Sequence, residues 1–184
     1  MSASVDTNTQ KKAWVVDHVH SSVEFAVKHM MVTTVRGRFT EFDAVVNFDE
    51  ANLPASSVEA KISTASIDTR AADRDAHLRS ADFLDAENYP YITFKSNRIE
   101  KAGDDRYRIY GDLSIRGVAK EVVLNTEFAG LGKSPWGTRV AAFSAETKID
   151  RKEFGLVWNA ALETGGMLVG DEVKIHIDLE LVER

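Results

Sequence analysis

Residues 173–180 read Val-Lys-Ile-His-Ile-Asp-Leu-Glu, and this stretch decides the fold class. Its odd-numbered residues are all apolar and its even-numbered residues are all polar. Because successive side chains of a strand point to opposite faces, the alternation gives one apolar and one polar face. Such a strand is typical of an antiparallel sheet that covers an apolar interior on one side and meets water on the other.

The same period of two recurs along most of the chain. Further rows of alternating apolar residues begin at Val23, Val58, Ile92, Tyr107, Val122 and Phe143. Residues 102–105, 116–118 and 130–137 each contain glycine, and they are predicted to reverse the chain between strands. About eight strands with no helix between most of them predict an all-β domain, either a barrel or a sandwich.

One stretch departs from this pattern. Residues 69–88 are rich in alanine, leucine, arginine and aspartate and nearly free of β-branched residues. We expect a short helical insert over about residues 70–88, capped by Asp68 or Thr69. Tyr89 and Pro90 should end it, since the residue before proline avoids helical angles.

Composition limits the function classes. The chain has 184 residues, of which 43% are hydrophobic and 28% charged, which suits one folded domain. Its net charge of −6 argues against a nucleic-acid partner, which normally requires a basic surface. It has no cysteine, so disulfides, thiolate nucleophiles and cysteine metal sites are excluded.

The N-terminal end and the apolar runs bear on location. The longest apolar runs have four residues, so we expect no membrane-spanning segment. Residues 1–12 are polar and are predicted to be a flexible tail before a domain at residues 13–184. They lack the apolar stretch of a secretion signal, so a cytoplasmic location is expected, or a periplasmic one if the chain is a processed form.

Two features suggest chemistry, and each also has a structural explanation. His18 and His20 would share a strand face, and with His29 they could bind zinc, although strand histidines more often pair with carboxylates or backbone. Methionine and aromatic residues flank the loop at residues 159–166. They suit an adaptable apolar cavity or an ordinary core, and the residues alone favour the core.

The order of several short motifs is more specific than any one of them. The chain carries Trp14-Val15-Val16-Asp17, His20-Ser21, Phe25-Ala26-Val27-Lys28-His29, Ser66-Ile67-Asp68-Thr69, Arg74-Asp75-Ala76-His77-Leu78, Gly111-Asp112-Leu113, Arg151-Lys152-Glu153-Phe154-Gly155 and Val169-Gly170-Asp171-Glu172-Val173. This ordered set resembles the YceI-like family over nearly all of residues 14–180.

The resemblance implies a fold and a function. It implies an extended lipocalin-like antiparallel β-barrel whose interior binds a long-chain isoprenoid lipid, either a polyisoprenoid or an isoprenoid quinone. The expected role is carriage or storage without catalysis and without a cofactor or bound metal. The resemblance therefore favours a cavity over a solid core in the interior of the domain. An exposed apolar mouth or sheet edge would also allow a homodimer.

The resemblance also suggests ligand-binding residues. The residues expected to line the cavity are Phe25, Val27, His29, Phe39, Phe83, Phe94, Phe143, Phe154, Trp158 and Met167. A polar or phosphate head group is expected to meet one or more of Arg36, Arg38, Arg74, His77 and Arg151, although each of these residues could equally anchor a loop.

Two alternatives remain open at this stage. The chain could be an enzyme that acts on an isoprenoid or a quinone, with His20, His29 or His77 as acid–base or metal-binding groups. It could instead be a stress-linked adaptor whose barrel has a solid core and serves only as a scaffold. Turnover of a prenyl substrate would indicate the enzyme, and a filled interior would indicate the scaffold.

Overall fold

The computed structural model describes residues 13–184, and the tail predicted at residues 1–12 lies outside the described residues. The described part contains eleven β-strands, joined in one sheet, and one α-helix. The strands are β1 (Trp14–Val16), β2 (Ser22–His29), β3 (Thr33–Phe39), β4 (Phe42–Asn47), β5 (Ser57–Ser63), β6 (Ile67–Asp68), β7 (Tyr91–Lys101), β8 (Arg106–Ile115), β9 (Val118–Lys133), β10 (Arg139–Asp150) and β11 (Val169–Glu183). The helix is α1 (Ala72–Arg79), and short 3-10 helices lie at Leu53–Ala55, Thr64–Ser66 and Arg151–Phe154.

Eight of the strands close into an antiparallel barrel. Their order is β1, β4, β5, β7, β8, β9, β10 and β11, and β11 pairs with β1 to complete the circle. Trp14 lies opposite both Glu183 of β11 and Val46 of β4, so the short β1 joins the two ends of the sheet. The predicted barrel of about eight strands with a helical insert is confirmed.

The other three strands form a side sheet that extends from β11. Strand β11 pairs with β1 near its C-terminal end and with β2 along its N-terminal half, where Ile175 lies opposite Phe25. Strands β2, β3 and β6 then follow one another. Residues 17–21 separate β1 from β2, and the Asp17 backbone N–H donates to the Glu180 carbonyl at 2.9 Å. The side sheet therefore departs from the barrel at this interruption.

The turns were predicted with one error. Residues 102–105 connect β7 to β8, and Arg116 and Gly117 connect β8 to β9, as the sequence indicates. The third reversal does not begin at Gly130, because β9 continues to Lys133 and residues 134–138 make the turn. Gly130 instead lies where the register between β9 and β10 shifts, as at a β-bulge.

The helical insert is shorter than predicted. The α-helix covers residues 72–79, and residues 81–84 and 86–88 form turns. Neither Asp68 nor Thr69 caps it, since the N-cap is Ala71 without a side-chain hydrogen bond. Thr69 instead donates its backbone N–H and its hydroxyl to the buried carboxylate of Asp75, one turn into the helix. The insert covers one end of the barrel through Phe83 and Leu84, which are buried.

Two groups of buried apolar side chains form the core. One lies beneath the insert and includes Ile67, Phe83, Ile115 and Phe154. The other lies where β1 closes the barrel. Its buried members are Trp14, Val16, Phe48, Leu53, Ile99, Ala141 and Leu181. Tight packing at the two ends leaves the interior between them as the place for a site.

Candidate functional site

An apolar cavity of about 430 Å³ lies inside the barrel and is bounded on one side by strands β2 and β3 of the side sheet. The alternation in the sequence explains its lining, because every second residue along a strand faces inward. The rows include Val23, Phe25 and Val27 of β2, Phe94 of β7, Val122 and Leu124 of β9, Phe143 and Ala145 of β10, and Val173, Ile175, Ile177 and Leu179 of β11. This volume lies in the range of about 300–1,000 Å³ that small-molecule sites occupy.

Incomplete burial of the inward rows shows that the middle of the barrel is hollow. Val122, Leu124 and Ile177 line the cavity, yet each is only half-buried. In a solid core, inward side chains at the centre of a sheet would be the most buried residues. Here the fully buried side chains are those at the packed ends, such as Phe154 and Leu181. The interpretation that these residues form an ordinary solid core is therefore wrong for the middle of the barrel.

Three aromatic rings stand together at one end of the cavity. The His77 ring lies 4.6 Å from that of Trp158 and 5.0 Å from that of Phe83, measured between centroids, and both contacts are edge-on. His77 of α1 also shares a hydrogen bond with the Asp82 carboxylate at 2.8 Å. Because His77 and Trp158 are only half-buried, the cavity comes close to solvent between α1 and the segment after residue 154.

Two further lining residues complete this opening. His29 ends β2 and lies opposite Val169, the neighbour of the half-buried Leu168. The Asn159 side chain donates to the Val169 carbonyl at 2.8 Å, which brings the segment of Trp158 against the start of β11. We use the term mouth for the part of the lining formed by His29, His77, Trp158 and Leu168.

Eleven of the fifteen predicted ligand-binding residues line the cavity. They are Phe25, Val27, His29, Phe39, Phe83, Phe94, Phe143, Trp158, Arg74, His77 and Arg151. Their contact with a ligand remains a prediction, although the structure brings their side chains to one space. They come from β2, β3, β7, β10, the helical insert and the segment after β10.

The structure places the other four elsewhere. Phe154 is packed among buried side chains below the insert, and Met167 is exposed beside the mouth. Arg36 and Arg38 flank the inward position of Gly37 on β3, so the alternation turns both outward. They border an open groove of about 890 Å³ on the outer face of the sheet.

The two cavity arginines differ in how their donors are used. Arg151 is buried, and it donates to the carbonyls of Leu156, Trp158 and Gly170 at 2.6–2.9 Å and to that of Val169 at 3.3 Å. Burial lowers the pKa of its guanidinium, which nearby aspartates only partly offset. Its donors thus hold the segment that follows β10.

Arg74 is exposed and has a donor to spare. Its Nε donates to the Thr69 hydroxyl at 2.7 Å and its Nη2 to the Thr69 carbonyl at 2.8 Å. Its Nη1 has no hydrogen-bond partner among the residues that the structure describes. Of the two cavity arginines, Arg74 is therefore the better placed to meet a polar head group at the opening.

The sequence prediction missed many lining residues for two different reasons. Val122, Leu124 and Ala145 stand in alternating rows that are plain in the sequence, so extending each row inward would have found them. Phe48 and Leu53 follow no such row, because they lie in the connection between β4 and β5. No sequence signal places that connection across one end of a barrel.

The candidate zinc ligands are paired separately with different carboxylates. His18 Nε2 lies 3.5 Å from an Asp43 oxygen, while His20 Nδ1 lies 2.9 Å from Asp17 and 3.8 Å from Glu180. His29 lines the cavity instead. Among residues 13–184, Asp17, His20 and Glu180 are the one group of three metal-ligating side chains whose donor atoms lie within 4.8 Å of one another.

The pair of Asp17 and His20 has shifted pKa values. The hydrogen bond that the His20 ring shares with the Asp17 carboxylate raises the pKa of His20 above its ordinary value of 6.5. The same bond lowers the pKa of Asp17, and its carboxylate also accepts the backbone N–H groups of Val19 and His20. These contacts fix the segment that separates β1 from β2.

In the described part of the chain, α1 and the 3-10 helices are too short and polar to cross a membrane.

Comparison with known proteins gives consistent matches. A family model described as the YceI-like domain matches residues 14–181. The protein YceI of Escherichia coli O17:K52:H18 is 44% identical over 137 residues, which cover 74% of this chain and 71% of the relative. The crystal structure of Burkholderia cenocepacia BcnA has a TM-score of 0.79 at 30% identity, covering 90% of this chain and 98% of that chain.

A more distant structure shares the fold. A polyisoprenoid-binding domain from Saccharophagus degradans, implicated in plant cell wall breakdown, has a TM-score of 0.69 with this chain. The two are 14% identical, and the match covers 95% of this chain and all of the other. The likeness is therefore one of fold.

Proposed function

The chain belongs to the YceI-like domain family, and from that premise we propose that it binds a long-chain isoprenoid lipid inside its barrel. Its role in this proposal is to carry or store the lipid without converting it. The observation that carries the proposal is the apolar cavity of about 430 Å³ between the two packed ends of the barrel. The polyisoprenoid ligand in the name of the Saccharophagus degradans domain supports the same class of lipid.

The hydrophobic effect provides the driving force for this binding. Apolar surface removed from water contributes about 25 cal/mol per Å². A prenyl chain that hides several hundred Å² would gain on the order of 10 kcal/mol before the costs of ordering it are subtracted. The aromatic and branched side chains of the lining leave a methyl-branched chain in contact with apolar atoms throughout.

Two features of the lining suit a chain with a polar end. Ala44 and Ala60 lie directly opposite each other on β4 and β5 and leave width for a branched chain. At the opening, Arg74 and His77 supply polar groups beside the Trp158 ring. A hydroxyl, quinone or phosphate head would therefore lie near Arg74 and His77 with its tail toward the barrel interior.

Filling the cavity tests the proposal. The Ala44→Phe variant directs a ring into the barrel, whereas the matched control Val45→Phe places the same ring on the exposed outer face of β4. Native mass spectrometry with farnesol and geranylgeraniol should show one lipid per chain for the wild type and the control. Binding to Ala44→Phe should be weaker by about tenfold or more.

Two results would contradict the proposal. Equal binding by Ala44→Phe and Val45→Phe would place the lipid outside the cavity. Recovery of a chemically altered lipid after incubation would show that the protein is an enzyme and not a carrier.

A further inference from the structure

Three exposed apolar residues form the tip of the hairpin between β2 and β3. Met30, Met31 and Val32 are 48%, 68% and 78% exposed, and we use the term hairpin tip for these three residues. The hairpin tip directly follows His29, which belongs to the mouth. Isolated exposed apolar residues are common, but three in succession at the opening of an apolar cavity need a reason.

The backbone geometry of the hairpin tip does not explain why methionine occupies its first two positions. Met30 and Met31 have φ angles of 52° and 61°, in the left-handed region that favours glycine or asparagine. Tight hairpins with two such residues prefer Asn-Gly for that reason. Methionine at these two positions makes the turn less stable and exposes apolar surface. We therefore look for the function of the two methionines in their side chains.

The hairpin tip is fixed to the mouth. The Met30 N–H donates to the Leu168 carbonyl at 2.8 Å, and Leu168 lines the cavity. The Met31 sulfur occupies the position that a Cβ on Gly166 would take. Met167, 47% exposed, lies between Gly166 and Leu168, so it extends the same apolar surface along the rim.

We propose that the hairpin tip inserts into the surface of a lipid bilayer and brings the mouth against it, so that the lipid passes between membrane and barrel without crossing water. This rests on the proposed function, because an isoprenoid cargo resides in membranes. Direct transfer avoids exposing the apolar chain of the cargo to water.

The size and charge of the surface favour a bilayer over a protein. A stable protein interface buries at least about 1,200 Å² in total, more than three side chains at a convex tip can supply. A fluid bilayer accepts such a tip, and each inserted apolar side chain adds to the affinity. The net charge of −6 gives the chain no general attraction to anionic lipids, so the contact must be apolar.

The test measures transfer of geranylgeraniol from phosphatidylcholine vesicles to the protein. The double variant Met30→Asn, Met31→Gly gives the turn its preferred residues and removes both methionines, so it should fold at least as well as the wild type. We expect its transfer rate and its binding to vesicles to fall by at least about tenfold. The control Trp136→Ser, which removes an 88% exposed apolar residue from the β9–β10 turn, should leave both unchanged.

A second measurement separates this proposal from the proposed function. Both variants should bind geranylgeraniol from detergent micelles as well as the wild type does. If the wild type binds no geranylgeraniol from micelles, the proposed function fails. If micelle binding is normal, three results would overturn the membrane proposal. Unchanged vesicle transfer in the double variant would show that the methionines are not needed, and vesicle binding that salt abolishes would show that the contact is electrostatic. A wild-type dimer that the double variant converts to monomer would show that the hairpin tip contacts a second copy of the chain.

Discussion

Two glycines show how single residues shape the cavity. Gly37 of β3 lies opposite Phe25, and the Phe25 ring occupies the space that a Cβ on Gly37 would need. The Phe94 ring stands over Gly111 of β8 in the same way. In both cases the far end of an aromatic ring lies over a glycine of the neighbouring strand, where a larger residue would displace the ring.

Replacing these glycines by alanine should have different effects. Phe94 is buried and the Lys95 carbonyl lies 2.6 Å from the position of the added Cβ at Gly111, so the site cannot adjust. We expect Gly111→Ala to lower the free energy of unfolding by about 1–3 kcal/mol in urea titrations. At Gly37, Phe25 can turn into the cavity, so Gly37→Ala should cost less stability but weaken lipid binding.

Equal losses of stability with unchanged lipid binding in both variants would contradict this account of Phe25. The sequence predicted that Phe25 and Phe94 face inward, because alternation determines the face of a strand. It could not predict that their rings lie over glycines on adjacent strands, since that depends on the register of strands far apart in the chain.

At the scale of elements, the segment between β10 and β11 depends on one buried side chain. The Arg151 guanidinium donates to carbonyls on both sides of this segment, at Leu156, Trp158, Val169 and Gly170. The Val169 carbonyl also accepts the Asn159 side chain, and a buried carbonyl that loses its partner is costly. Arg151 therefore positions Trp158 at the mouth.

Removal of this guanidinium should loosen the segment. We expect Arg151→Met to lower the free energy of unfolding by about 2–4 kcal/mol and to raise amide hydrogen exchange over residues 155–168. The matched control is Lys152→Met, which removes an exposed cation that pairs with Asp171 at 3.1 Å. Its effect should stay within about 0.5 kcal/mol. Equal effects of the two variants would show that the guanidinium has no special role.

The connection between β1 and β2 should give the stability a dependence on pH. A raised pKa of His20 means that the folded chain holds this proton more tightly than the unfolded chain does. The stabilisation is complete below pH 6.5, the ordinary pKa, and is lost as the pH rises through the folded value. In acid, below the lowered pKa of Asp17, protonation of this carboxylate removes the same stabilisation.

Urea titrations of the wild type and His20→Gln from pH 5 to 8 measure this contribution. The stability difference between the two proteins should shrink as the pH rises above 6.5. A constant difference across this range would mean that the charge of His20 contributes nothing. His176 contacts Glu146 and Asp178 in both proteins, so its titration cancels in the difference.

The elements differed in how well the sequence predicted them. Long strands such as β11 were clear, because alternation over many residues is a strong signal. The helix was predicted too long, because composition favours a helix through Phe83 while the contacts of the insert with the barrel impose turns after Arg79. The sequence left open whether Arg151 meets a head group or anchors a loop, since its partners are backbone carbonyls and leave no sequence pattern.

At the scale of the whole molecule, the fold was more predictable than the site. Antiparallel strands with one apolar face must close or stack to hide that face, so a barrel or sandwich followed from alternation alone. Whether the enclosed space is filled depends on side-chain volumes summed over eight strands and two end caps. The cavity results from three features together, which are the small pair of Ala44 and Ala60, the rings that lie over glycines, and the packed ends. None of these features could be predicted from the sequence of one strand.

Mass spectrometry of the organic extract from protein expressed in bacteria and purified without detergent shows directly whether the barrel holds a lipid. We expect an isoprenoid lipid at about one molecule per chain for the wild type. In Ala44→Phe the lipid should be strongly reduced, and in Val45→Phe it should be retained. A wild-type extract without any such lipid, together with no uptake of added geranylgeraniol, would contradict the account.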